Sequence, residues 1–114
     1  MTILYGIKNC DTVKKARKWL EQHTIAYQFH DFRADGLTQD LLQTLIDHAD
    51  LSLLLNKRST TFRNLADDIK NNLTDEVVIK AILEQPTLLK RPLLLNENKL
   101  TIGFKDDVYQ TTFK

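Results

Sequence analysis

The chain has 114 residues, enough for one compact domain with a single core and too few for two ordinary ones. Hydrophobic residues at 42% and charged residues at 27% argue against disorder, and 16 Lys+Arg against 15 Asp+Glu leave a formal charge of +1, so no global basic field exists to hold a nucleic-acid backbone. A single cysteine excludes an internal disulfide and a multi-cysteine zinc site, and no stretch is apolar enough to span a bilayer. With no basic-then-apolar leader ahead of Thr2-Ile3-Leu4-Tyr5, a cytoplasmic setting is expected, where any disulfide made by Cys10 joins it to another molecule.

Thr2-Ile3-Leu4-Tyr5 is β-branched and aromatic and predicts a strand, which Gly6 ends in a tight turn. Asp11 and Thr12 offer side-chain oxygens that can cap a helix. From Thr12 to about His23 the apolar residues Val13, Ala16 and Leu20 recur at helical spacing, with Trp19 as a packing residue at the border of that stripe. Ala26 to Phe32 alternates and predicts a second strand, parallel to the first in a βαβ unit. Thr38 reads as an N-cap for a helix through Leu41, Leu42, Leu45, Ile46 and Ala49, with His48 placed to meet its last carbonyls. Leu51 to Leu55 fits either a buried extended segment or another helical turn. Thr60 or Thr61 is expected to cap a helix containing Phe62, Leu65, Ile69 and Leu73. Thr74 caps the next one, through Val77, Val78, Ala81 and Ile82, which Pro86 ends. Leu93-Leu94-Leu95 and Leu100-Thr101-Ile102 flank a turn at Asn96-Glu97-Asn98 and predict a hairpin. A closing helix from Asp106 to Phe113 packs through Val108, Tyr109 and Phe113.

Cys10 sits between the first strand and the first helix. Free N–H groups at a helix start and the charges of Lys8, Lys14 and Lys15 favour a thiolate, the nucleophilic form; the competing reading is a small buried residue. The run Asn56-Lys57-Arg58-Ser59-Thr60-Thr61-Phe62-Arg63 suits an anion but equally suits a solvated loop and cap.

The wording Tyr5-Gly6-Ile7-Lys8-Asn9-Cys10-Asp11-Thr12-Val13-Lys14-Lys15, with the Asn56–Arg63 run and Leu89-Lys90-Arg91-Pro92 in order behind it, resembles the arsenate reductase (ArsC) and Spx family, closest to its YffB-type branch. The resemblance implies an α/β, thioredoxin-like fold over residues 1–114: a four-stranded mixed sheet flanked by helices, with an all-helical insertion at about 34–90. It implies that Cys10 is the nucleophile, that Arg58 and Arg91 hold an anion, and that a cis Pro92 faces the sulfur, while Arg63 is peripheral. Asn9 could donate a hydrogen bond into the same pocket.

Two departures bear on function. Cys10-Asp11-Thr12-Val13 has no second cysteine three positions on, so the internal redox switch of Spx-type regulators is absent. Gly103-Phe104-Lys105 stands where glutaredoxin-coupled arsenate reductases have a third arginine, and lysine carries the charge without the planar fork. The expectation is therefore a monomeric glutathione-dependent thiol/disulfide oxidoreductase with glutathione as reducing cosubstrate, glutaredoxin as a candidate partner, and no bound cofactor or metal. The alternatives are an arsenate reductase and a non-catalytic regulator that binds RNA polymerase.

Overall fold

The computed structural model describes residues 2–113. Backbone contacts divide the chain into two compact units, one formed by Met1–Asp35 with Arg91–Lys114 and the other by Gly36–Lys90.

The first unit is built on a four-stranded sheet in the order β2-β1-β3-β4. Strand β1 (Thr2–Gly6) leads into helix α1 (Asp11–Gln22) and then into β2 (Gln28–Asp31), which pairs parallel to β1. The crossover helix covers one face, as a βαβ unit requires. The predicted second strand is shortened at both ends: Ala26 and Tyr27 precede the ladder, and Phe32 contributes only a backbone hydrogen bond to the Gly6 carbonyl, at 2.8 Å. Strands β3 (Leu93–Asn96) and β4 (Lys99–Ile102) form the expected hairpin, and β3 runs antiparallel to β1.

Alternation along β1 sends Leu4 to the α1 side, where it joins Val13, Ala16, Trp19, Leu20, Leu94 and Tyr109 in a buried cluster. Tyr109 comes from α7 (Asp106–Thr112) and is fully buried, so burial pushes its phenol pKa well above the ordinary value. Val108 was expected in this packing but is 38% exposed; Tyr109 and Phe113, four residues apart, form the inward stripe instead. On the other sheet face Tyr5 stacks on Phe32 and meets His30, its cross-strand partner.

The second unit is helical. It contains α2 (Gln39–His48), α3 (Leu51–Leu54), α4 (Thr60–Arg63), α5 (Asp67–Lys70), α6 (Asp75–Glu84) and a 3₁₀ turn, Pro86–Leu88. Thr38 and Thr74 cap α2 and α6 through their hydroxyls, and the His48 ring bonds the Thr44 carbonyl at 2.8 Å. The ambiguous leucine run is one helical turn followed by an extended bridge from Leu55 to Leu89. Two expectations are corrected. Ser59, not Thr60 or Thr61, caps α4 through Oγ, which accepts from the Phe62 N–H at 3.1 Å. The single helix expected from Phe62 to Leu73 is two four-residue turns separated at Asn64–Ala66. The apolar spacing of Phe62, Leu65 and Ile69 persists across that break, which is why periodicity joined them.

One contact sets how closely α1 approaches the sheet. A Cβ at Gly6 would lie 2.6 Å from Cγ2 of fully buried Val13, and Val13, being β-branched, has little rotamer freedom to move away. Gly6→Ala is therefore expected to lower unfolding stability by about 1–3 kcal/mol, the usual cost of overpacking, as read from urea denaturation. An unchanged midpoint would show that α1 slides freely on β1.

Candidate active site

Because β1 packs this tightly against α1, the four residues between them form a short, determined loop. The Cys10 N–H donates to the Ile7 carbonyl at 3.2 Å, and the Cys10 carbonyl accepts the first helical bond from Lys14, at 3.0 Å. Cys10 is itself the N-cap of α1. Asp11, expected to offer a cap, is instead the first helical residue, and among the described residues no side-chain hydrogen bond caps the first turn. The N–H groups of that turn therefore lie at the base of the cysteine, where helix geometry and dipole favour negative charge. Cys10 is partly exposed while packing against the cluster that contains Leu4 and Val13, so the residue is neither sealed in the core nor fully in solvent.

The sheet brings other segments to this end. Pro92 lies one step beyond the Tyr5–Leu93 pair in the antiparallel register, across from Gly6, and the Arg91–Pro92 peptide bond is cis. Pro92 is buried and Arg91 half-buried. The Pro92 carbonyl accepts from the Gly103 N–H at 2.8 Å, and Gly103 takes φ +83°, a left-handed conformation natural to glycine. Lys105, two residues on, is the exposed N-cap of α7. Cys10, Asn9, Arg91, Pro92 and Lys105 thus sit on segments that leave one end of the sheet. Arg58 belongs to the helical unit, where it is exposed and its N–H donates to Asn56 Oδ1 at 3.1 Å; Arg63 is exposed in the same unit. Among the described residues no group of three or more potential metal ligands clusters.

Asp31, which sequence reading missed, holds the loop from the neighbouring strand. Its buried carboxylate accepts from the backbone N–H groups of Lys8 (3.3 Å), Arg33 (2.8 Å) and Ala34 (3.2 Å), joining the Cys10 loop to the end of β2. Burial raises its pKa, but those three hydrogen bonds and the Lys8 charge outweigh it, and the net shift is downward. An aspartate at a strand end followed by Arg33-Ala34-Asp35-Gly36 is a recognisable side-chain-to-backbone turn, and only the Lys8 bond lacks a local signal.

A cleft of about 750 Å³ in the sheet unit lies elsewhere. It is lined by Trp19, His23, Ile25 and α7 residues, and Trp19 stands about 13 Å from Cys10 along α1 at 1.5 Å per residue. There the Trp19 Nε1–H donates to Asp106 at 2.8 Å; that bond and one from Gln110 hold the Asp106 pKa low.

Replacing Asp31 by Asn should remove a charged acceptor from three N–H groups and cost about 1–3 kcal/mol near pH 7. The folded carboxyl pKa lies below the unfolded one, so its stabilisation is complete above the unfolded value and is lost as pH falls through the folded value. The gap between the intact protein and Asp31→Asn should therefore narrow from about pH 5 downward. Thermal melts of both proteins between pH 3 and pH 7 measure this, and a gap independent of pH would contradict it.

Comparison with known proteins gives the family and the fold. The family model described as the ArsC family matches residues 5–112. An uncharacterized protein of Haemophilus influenzae is 47% identical over 99% of both chains, and the global transcriptional regulator Spx 2 of Bacillus anthracis is 32% identical over 94% of this chain and 82% of its own. Among solved structures the YffB (PA3664) protein superposes with a TM-score of 0.93 at 39% identity over the whole of both chains. The sheet order with its flanking helices is the thioredoxin-like architecture. The chain belongs to the ArsC family.

Proposed function

We propose that the protein is a glutathione-dependent thiol/disulfide oxidoreductase of the cytoplasm, with Cys10 as its nucleophile. The observation that supports this best is the placement of a partly exposed Cys10 as the N-cap of α1, above N–H groups that no side chain caps. In the proposed reaction the Cys10 thiolate attacks one sulfur of a substrate disulfide, the S–S bond breaks, and the other sulfur leaves as a thiolate. Glutathione thiolate then attacks the substrate sulfur of the adduct, releasing Cys10 and forming a glutathione mixed disulfide. With no second cysteine in the chain, this resolving thiol comes from outside.

Arg91, on the same end of the sheet as Cys10, is assigned to the carboxylates of glutathione, which a guanidinium can grip in two parallel hydrogen bonds. Lys105 and Asn9 are secondary candidates at that end, and Arg58 enters on the family resemblance. The Spx relative supports a second reading, a regulator acting through protein contacts, for which a reactive thiol is unnecessary.

Alkylation separates the two. At pH 6 Cys10 is expected to react with iodoacetamide about tenfold or more faster than a free cysteine, and Cys10→Ser to abolish both labelling and glutathione-dependent reduction of a mixed disulfide. Arg91→Lys should raise the KM for glutathione more than it lowers kcat, because the charge remains while the fork is lost. Labelling no faster than free cysteine, with no turnover, would favour the regulator.

A further inference from the structure

The outward side of α1 carries Lys14, Lys15 and Lys18, all exposed, opposite the buried residues Val13, Ala16 and Leu20. At spacings of three and four residues they share one face. Residues 8–18 hold Lys8, Lys14, Lys15, Arg17 and Lys18 against a single acid, Asp11, in a chain whose formal charge is only +1. Such a row of like charges is normally relieved by carboxylates within reach. Here the ion pair found among the described residues is Lys70–Asp67, in the helical unit. Glu21, farther along α1, accepts instead from the Tyr27 hydroxyl at 3.0 Å. Arg17 is fixed in place: its Nε–H donates to the same hydroxyl at 3.3 Å, and its guanidinium lies 4.2 Å over the Phe29 ring. Lys14, Arg17 and Lys18 line a shallow groove of about 570 Å³ with Glu21 and Gln22.

We propose that this face docks the acidic surface of a protein whose disulfide is the substrate of Cys10. The inference rests on Cys10 being the nucleophile and adds the class of substrate. Charge complementarity selects the partner: a row of cations that forms no ion pair among the described residues, beginning one turn from the reactive sulfur, favours a disulfide rimmed by Asp and Glu. Length selects a protein over a small thiol. The row runs from Lys14 to Lys18, which stands about 12 Å beyond Cys10 along the helix axis, and a polypeptide surface with several carboxylates can meet all three lysines while its disulfide meets Cys10. The Cys10 thiolate attacks one sulfur of that disulfide, the second leaves as the partner's thiolate, and glutathione resolves the mixed disulfide as above. The groove holds the partner in register while the exchange occurs.

The test compares two cystine-linked peptides of about twelve residues, one flanked by Asp and Glu and the other by Ser and Gln, as substrates of the intact 114-residue chain. At about 20 mM NaCl the acidic peptide should exchange about tenfold faster. The ratio should fall toward one at about 500 mM, where screening shortens the reach of the charges, and also in the Lys14→Gln/Lys15→Gln/Lys18→Gln variant. The ratio cancels any change in the thiol's own reactivity. Cys10→Ser should still bind the reduced acidic peptide in a salt-sensitive way, and the added triple substitution should abolish that binding. Equal rates for both peptides at low salt, a preference that survives the triple substitution, or displacement by an equally charged single-stranded oligonucleotide would each overturn the docking face. Failure of Cys10 to exchange with either peptide, while Cys10→Ser still binds the acidic one, would overturn the oxidoreductase reading and leave the surface standing.

Discussion

The approach of β1 to α1 at Gly6 and Val13 governs the sheet unit. A hydrogen atom in place of a methyl lets the strand end meet a stiff, buried valine, and the helix that follows has one available seat. From that seat the rest follows along the helix. Its start places Cys10 at the cap, its inward face puts Ala16 and Leu20 in the cluster with Leu4, and Trp19 near its end reaches Asp106 and so fixes α7. The sheet end and the α7 anchor are tied through one rigid element, twelve residues long.

Around the cysteine the protein uses backbone groups more than side chains. Asp31 gathers three N–H groups from two loops, and the start of α1 is left uncapped by any side chain. A carboxylate suits the first task because it accepts from several donors at once, which an amide oxygen does less strongly. Relatives of this chain include an Spx regulator as well as an ArsC-related protein, and one scaffold can carry unlike uses because function lies in the side chains set on a fold.

Much of this was legible from residue order. The strand, glycine turn and helix around Cys10, the caps at Thr38 and Thr74, and the β3–β4 hairpin all follow from local rules that tertiary packing leaves intact. Residues 51–70 were harder. Leucines at Leu51, Leu54 and Leu55 suit either period, and Ser59, Thr60 and Thr61 are three successive capping candidates among which only backbone direction chooses. Val108 looked buried by type, yet the seven-residue helix has room for one inward stripe, and Tyr109 takes it. The tie from Asp31 to Lys8 spans 23 positions and ends on a main-chain N–H, a group every residue but proline carries.

The sheet order has a temporal side. Cys10 and its helix are made with β1 and β2, whereas Arg91, Pro92 and Lys105 arrive with β3 and β4, some eighty residues or more afterwards. At roughly 5–20 residues per second, ribosomal synthesis separates the two by several seconds. Throughout that interval the sulfur lacks the β3 and β4 segments that later flank it, open to whatever thiols and oxidants surround the emerging polypeptide.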